Sequence, residues 1–241
     1  MATEPSTVPP LVLADESTAD QYVTGGLLRL PAEHVETAVA ALAKAKTDRG
    51  LSVNAEIHCR VLFSGDARRR SPFAALNPQQ CVELITACVE AMNAAGGTWW
   101  GSWVDRKTYP TVLRLVEGQP FRVESKHLAG LMVFSALARL DNEHAVGTSY
   151  RLAFDPDPTK IDWGLPRKMQ ATHFSRINSQ AIALPDAHRP LLEMADVAAY
   201  TLAQSLVAES RRSSATDRKA RHFPPILKLM DMRVSRFEYR P

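Results

Sequence analysis

Short apolar segments alternate with longer segments of helical periodicity along most of the 241-residue chain. Apolar runs of four to eight residues favour strands, and apolar residues at i, i+3 and i+4 favour helices. Strands are predicted at residues 11–14, 21–30, 53–63, 98–104, 149–154 and near 177–184. Helices are predicted after Pro31, from Asn77 to Gly96, at 125–142 and from Pro190. This alternation is typical of an α/β sheet with helices on its faces.

Composition limits the classes of protein that fit this pattern. The chain is 45% hydrophobic and 23% charged, as is usual for globular proteins, and it is long enough for one large domain. Its N-terminus lacks a basic segment followed by an apolar one, and no run approaches the roughly 20 apolar residues of a membrane span. Because no such run is present, we expect no membrane partner. Three cysteines without metal-site spacing favour a cytoplasmic protein with reduced thiols.

The domain prediction divides the chain near its end. Residues 1–208 are predicted to form the main domain, and residues 209–241 a basic C-terminal extension that packs on the same domain. The extension has nine Lys and Arg residues against four Asp and Glu. Such a segment can follow a phosphate backbone, but a solvated helix face explains it equally well. The whole chain has a net charge of only +3, which permits nucleic-acid binding without requiring it.

Acidic residues come directly after three of the predicted strands: Asp15, Asp105 and Asp155. Strand ends can converge on one edge of an open α/β sheet, and carboxylates are the ligands that Mg²⁺ and Mn²⁺ prefer. A single Asp at a strand end is nevertheless more often a turn or cap residue. Glu16 neighbours Asp15, so in extended backbone the two point to opposite faces. We therefore expect Asp15 to be the ligand and Glu16 to pair with a base or hold the following turn.

Asp196 lies on the last of these predicted helices, among alanines. Glu193, Asp196 and Tyr200 share one helical stripe, and small residues at 195, 199 and 203 run beside it. Small residues allow the helix to approach a sheet closely. A buried carboxylate is costly without a metal or cation beside it. Asp196 is therefore a candidate metal ligand, the alternative being an acid at the solvent edge of an alanine-rich helix.

Glu56 and His58 lie two residues apart, on one face of the strand predicted at 53–63. A histidine can act as a general acid or base, or can bind a metal. The alternative is a strand histidine that faces solvent. Farther along the chain, the basic segment at residues 68–72 is predicted to be a solvated loop.

Five short motifs are spread over nearly the whole chain. They are Asp15-Glu16-Ser17 with the apolar segment 22–28 after it, Glu56-Ile57-His58, Val104-Asp105-Arg106-Lys107, Ala153-Phe154-Asp155, and Leu192-Glu193-Met194-Ala195-Asp196-Val197-Ala198-Ala199. Together they resemble the "domain of unknown function 3800" family of bacteria and phages, over about residues 10–206. Thr18 stands where that family commonly has Gly, and Glu193 where it commonly has Gln.

The resemblance implies a ribonuclease H-like mixed sheet flanked by helices, with extra helices inserted, and a carboxylate site for Mg²⁺ or Mn²⁺. The resemblance itself supplies no activity. By analogy at the level of the fold, together with the clustered acids, the expected function is a metal-dependent nuclease with a nucleic acid as substrate. The expected catalytic residues are Asp15, Glu56, His58 and Asp196, the expected metal ligands Asp15, Asp105, Asp155 and Asp196, and the expected neighbours of the ligands Glu16, Lys107 and Glu193.

Other interpretations stay open from the sequence alone. The main alternative is a non-catalytic ribonuclease H-like scaffold that binds a protein or nucleic-acid partner. A nucleotide phosphohydrolase with the same metals is a third interpretation, although no Gly-rich phosphate loop supports it. The sequence leaves undecided whether the chain forms a homo-oligomer.

Overall fold

The computed structural model describes residues 8–109, 112–114, 120–143, 149–154, 179–210 and 219–237. The strands are β1 (Leu11–Ala19), β2 (Tyr22–Leu30), β3 (Thr98–Asp105), β4 (Val112–Arg114), β5 (Pro120–Arg122), β6 (Tyr150–Phe154), β7 (Ser179–Ala181) and β8 (Arg233–Arg236). The α-helices are α1 (Val35–Thr47), α2 (Cys59–Leu62), α3 (Gly65–Arg69), α4 (Pro78–Ala94), α5 (Ser125–Asn142), α6 (Leu192–Ser210) and α7 (Phe223–Met230). Short 3₁₀ helices occupy Ala32–His34, Asp186–Leu191 and Ala220–His222.

Six of the strands form one mixed sheet in the order β7-β6-β1-β2-β3-β8. The first three strands along the chain pair antiparallel, β1 with β2 and β2 with β3. The other pairs are parallel: β6 with β1, β7 with β6, and β8 with β3. Strands β4 and β5 form a separate antiparallel pair. The chain therefore has an α/β fold with a mixed open sheet, which confirms the predicted class.

Helices cover both faces of the sheet, and the alternation of side chains along β1 shows which helices lie on each face. Leu11 and Leu13 pack in a core with residues of α1, α4 and α6. Val12 and Ala14 pack on the opposite face with residues of α5. Because successive strand residues point to opposite faces, Asp15 belongs to the α6 side and Glu16 to the α5 side.

Two consecutive glycines of β2 allow helices to approach from both faces. A Cβ atom on Gly25 would lie 2.5 Å from the main-chain carbon of Met132 in α5. A Cβ atom on Gly26 would lie 2.3 Å from the main-chain nitrogen of Ala199 in α6. On the α6 face, the Thr24 hydroxyl donates a hydrogen bond of 2.8 Å to the Ala199 carbonyl. Since the pairing of β2 with β1 is continuous, these glycines serve close packing and not a bulge.

Local sequence signals account for the helix ends that were predicted well. Asn77 and Gln80 form a reciprocal capping box at the start of α4, where Pro78 is the first helical residue. The main chain after α4 takes a left-handed conformation at Gly96, with a φ of 73°. Helix α5 has the predicted bounds, residues 125–142.

One local prediction was wrong, and a second was correct only in part. Residues 53–58 form a coil that leads into α2, and not a strand at 53–63. Burial still alternates there, with Ala55, Ile57 and Cys59 buried and the residues between them exposed, so the pattern imitates a half-buried strand. The predicted basic loop at 68–72 also overlaps helix α3, whose first turn is capped by the Ser64 hydroxyl.

The C-terminal elements join the same core and sheet. Helix α6 runs to Ser210, across the predicted boundary at residue 208. Phe223, Ile226 and Met230 of α7 are buried with residues of α4 and α6. Strand β8 extends the sheet beyond β3, where Arg233 lies over the ring of Trp100 at 5.1 Å. In the part of the chain that the structure describes, no helix is long and apolar enough to cross a membrane.

Candidate functional site

A cavity of about 1170 Å³ lies beside the second half of β1. Its walls come from β1, the coil at residues 53–58 with the start of α2, the 3₁₀ helix before α6, α6 itself, and the segment before α7. Among its described lining residues are seven carboxylates and three Lys or Arg cations, so the cavity is strongly acidic.

The close contact between β2 and α6 brings the strand acid and the helix acid to this cavity. Asp15 is directly opposite Gly26 in the β1–β2 register. Gly26 in turn lies against the main chain of Ala199, one helical turn after Asp196. Both Asp15 and Asp196 line the cavity and both are partly buried. Two acids that are 181 positions apart in sequence therefore face one space.

Main-chain amides hold both carboxylates. Asp15 Oδ1 accepts a hydrogen bond of 2.8 Å from the Glu16 amide. Asp196 Oδ2 accepts one of 2.8 Å from the Cys59 amide, so it caps the otherwise unsatisfied first turn of α2. Burial raises the pKa of the Cys59 thiol well above its ordinary value, and the neighbouring Asp196 carboxylate raises it further. Asp196 thus joins the wall at residues 53–58 to α6.

Glu193 lines the cavity and forms an ion pair in its wall. Its Oε1 accepts a hydrogen bond of 2.8 Å from Lys46 Nζ of α1, and its Oε2 lies 2.7 Å from the same atom. The two side chains are only 6% and 1% exposed. Burial raises the pKa of Glu193, and Lys46 together with a hydrogen bond from the Ile57 amide opposes that rise. Glu193 is therefore half of a buried ion pair at the cavity wall.

Sequence analysis missed Lys46, although a signal was present. The buried residues of α1 include Ala38, Leu42 and Ala45, and Lys46 follows Leu42 by four positions on the same face. A lysine on an apolar helix face needs a buried acid as partner. That acid, Glu193, is 147 residues away, so local patterns could not identify it.

Glu56 and His58 both line the cavity, from coil and not from the predicted strand. His58 Nε2 lies 3.1 Å from Glu56 Oε1, and the side chains are 51% and 68% exposed. Glu16 lines the cavity as well, on the other side of β1 from Asp15. Of the predicted site residues, the structure brings together Asp15, Glu16, Glu56, His58, Glu193 and Asp196.

Asp105 does not line this cavity, and its contacts are those of a turn residue. Its Oδ1 accepts a hydrogen bond of 2.9 Å from the Lys107 amide, and its Oδ2 accepts one of 3.0 Å from the Gln21 side chain. Its carbonyl accepts bonds from the amides of Thr108 and Tyr109. Asp105 and Lys107 thus shape the end of β3. Asp155 lies outside the described residues, so its predicted role stays a prediction.

Comparisons with known proteins do not identify this site. No family model, curated protein or solved structure matches the chain. The assignment of a function therefore depends on the cavity and its residues.

The donor atoms of the cavity suit a hard divalent cation. Asp15 and Asp196 supply carboxylate oxygens, which Mg²⁺ and Mn²⁺ prefer. Within the described ranges, no group of three or more His, Cys, Asp or Glu side chains is arranged to hold a metal ion. Mg²⁺ is commonly bound through one or two carboxylates, with water and substrate phosphate completing its coordination. Asp15 and Asp196 offer carboxylate oxygens of this chemistry in one cavity.

Proposed function

We propose that the chain is a divalent-metal-dependent nuclease that hydrolyses phosphodiester bonds in the acidic cavity. The observation that carries this proposal is the shared cavity of Asp15, from the central part of the sheet, and Asp196, from a late helix. Their carboxylate oxygens are the ligands that Mg²⁺ and Mn²⁺ prefer.

We also propose that the fold is ribonuclease H-like. Two features support this finer assignment. Strand β1 lies inside the sheet, with an antiparallel pair of strands on one side and parallel strands on the other. The motif residues that resemble the domain of unknown function 3800 include both Asp15 and Asp196, the acids that line the cavity.

Asp15 and Asp196 would hold Mg²⁺ or Mn²⁺, with the Glu16 and Cys59 amides orienting the two carboxylates. When bound, such a cation supplies Lewis acidity toward a phosphoryl oxygen and makes bound water more acidic. Glu56 orients the His58 ring through their 3.1 Å contact at the cavity surface. From there, His58 can accept or donate a proton during hydrolysis.

The test compares three single variants. Asp15→Asn and Asp196→Asn remove ligand charge while keeping side-chain shape, and the side-chain carbonyl oxygen introduced by Asp196→Asn can still accept the Cys59 amide bond. Asp186→Asn is the matched control for metal binding, because Asp186 lines the same cavity with a side chain that is 99% exposed and pairs with Arg189 at 3.9 Å. Calorimetry would measure Mn²⁺ binding, and labelled single- and double-stranded DNA and RNA would report cleavage.

We expect both ligand variants to lose at least about 100-fold in metal affinity or cleavage. Even substitutions of residues that only contact a metal ligand often lower metal affinity or activity 10- to 100-fold. Asp186→Asn should retain the wild-type affinity for Mn²⁺. If wild-type protein binds neither metal and leaves every substrate intact, a non-catalytic scaffold that binds a partner is the better description. If all three variants lose Mn²⁺ affinity to the same extent, the general loss of negative charge, and not metal ligation, explains the effect.

A further inference from the structure

Three cations line the acidic cavity, and each comes from a different part of the chain: Arg60 from α2, Arg189 from the 3₁₀ helix before α6, and Lys219 from the segment before α7. Arg60 directly follows Cys59, whose amide binds the Asp196 carboxylate. The three charges thus reach the cavity of Asp15 and Asp196 from separate elements.

The cations are spread along the α6 axis. Lys219 Nζ lies 5.1 Å from the ring centroid of Tyr200, one turn after Asp196. Arg189 lies in the 3₁₀ helix before α6, seven residues before Asp196, and its guanidinium is 3.9 Å from the Asp186 carboxylate. From Leu192, the first residue of α6, to Tyr200 the helix rises about 12 Å, at about 1.5 Å per residue. A stacked strand carries one phosphate per about 3.4 Å, so the elements that carry Arg189 and Lys219 are several nucleotides apart.

This spread favours a polymer over a small phosphate compound. A single phosphate group would need the cations to meet at one point. The cavity volume of about 1170 Å³ also exceeds the range of about 300–1,000 Å³ that is usual for small-molecule sites. An extended polyanion can contact cations that lie apart and can occupy a cavity of this size.

The cavity offers little surface for stacking bases. Tyr200 is the one Phe, Tyr or Trp side chain among its described lining residues, and it is only 5% exposed. Its ring packs against Phe63 at 6.0 Å and Phe223 at 5.4 Å, with Lys219 beside it. Proteins that bind single strands through their bases use exposed aromatic side chains, so contacts here fall on the backbone.

We infer that Arg60, Arg189 and Lys219 form a phosphate track that binds one nucleic-acid strand through its backbone, independently of base sequence. This inference rests on the proposed nuclease function, for which it defines the substrate-binding residues. The carboxylates of the cavity oppose binding of any polyanion. A divalent cation at Asp15 and Asp196, or neutralisation of these two acids, therefore increases affinity.

The experiment measures binding without cleavage, by fluorescence anisotropy with a labelled 12-nucleotide strand of mixed sequence. Asp196→Asn serves as the background, and the added changes are Arg60→Gln, Arg189→Gln and Lys219→Gln, singly and together. The matched control is Arg69→Gln in α3, which removes the same charge from a side chain that is 73% exposed and lies outside the cavity lining. Thermal unfolding would verify that each variant is folded.

Each track variant should weaken binding about 3- to 10-fold and flatten the slope of log K against log salt by about 0.7, the value per phosphate contact for single strands. The triple variant should flatten it by about 2, and Arg69→Gln should change neither quantity. In EDTA, Asp15→Asn/Asp196→Asn should bind the strand more tightly than wild type.

Unchanged binding in the triple variant would overturn the track. Competition by inorganic phosphate or a mononucleotide as effective, per phosphate, as the 12-nucleotide strand would also overturn it. Wild-type cleavage combined with unaltered binding in the triple variant would refute the track alone. Track-dependent binding without cleavage by wild type would refute the nuclease proposal alone.

Discussion

Replacing Lys46 by methionine tests the buried ion pair at the cavity wall. Methionine keeps the unbranched shape of the lysine stem but leaves the Glu193 carboxylate, 6% exposed, without its cation. Removing one partner of a buried pair usually costs about 3–5 kcal/mol. We expect Lys46→Met to lower the free energy of unfolding by that amount at pH 8.

A double variant tests whether the unpaired charge of Glu193 causes the loss of stability. Lys46→Met/Glu193→Gln removes both charges and keeps an acceptor for the Ile57 amide. Neutral replacements of buried ion pairs are often harmless, so the double variant should lose only about 1 kcal/mol. The double variant should therefore be more stable than Lys46→Met alone. Urea unfolding followed by the fluorescence of the four tryptophans would measure both, with unchanged m-values as the control for two-state behaviour.

The pH dependence follows from the pKa of Glu193. Burial already raises this pKa above its ordinary value of 4.5, and loss of Lys46 removes the main opposing interaction, so the pKa rises further. A group with a raised folded pKa stabilises the protein below its unfolded pKa, and that contribution is lost as pH rises through the folded pKa. The deficit of Lys46→Met relative to wild type should thus be smaller at pH 5 than at pH 8. A deficit independent of pH, or a double variant as unstable as the sum of the two single variants, would refute this reasoning.

Two further predictions concern the sheet. Gly26→Ala should lower the free energy of unfolding by about 3 kcal/mol and weaken Mn²⁺ binding, because the added Cβ meets main-chain atoms of Ala199 that cannot rotate away. Gly50→Ala is the control, since Gly50 has a φ of 71° and open space around it. It should lower the free energy of unfolding by only about 1 kcal/mol in the same urea assay. Equal losses would contradict the close contact. Asp105→Ala should lower stability by about 1 kcal/mol through the turn it holds and leave Mn²⁺ binding unchanged in calorimetry, whereas loss of binding would return Asp105 to the metal site.

Local signals in the sequence were sufficient for the elements whose cause is local. The capping residues and apolar spacing predicted α4 and α5, and the apolar run with its following glycines predicted the β1–β2 pair. The same run predicted Asp15 beside the site, but β1 continues past it to Ala19, so Asp15 lies within the strand and not at its end.

The wall at residues 53–58 could not be predicted in this way, because its conformation depends on distant residues. The Cys59 amide bonds to the carboxylate of Asp196, where a strand would bond to a neighbouring strand. Alternating burial alone does not separate these two cases. The three cations of the cavity were missed for a related reason, since their proximity arises only when α2, α6 and the C-terminal segment come together.

The glycine pair of β2 determines how the cavity responds to change in α6. At Gly26 this helix approaches the sheet until main-chain atoms meet, so this contact leaves no room for a side chain. The height of Asp196 above β1 depends on this contact, because Asp196 lies one turn before Ala199. Gly26 is also the position where an engineer could alter that height: one added methyl group would lift the helix and widen the separation of the two acids.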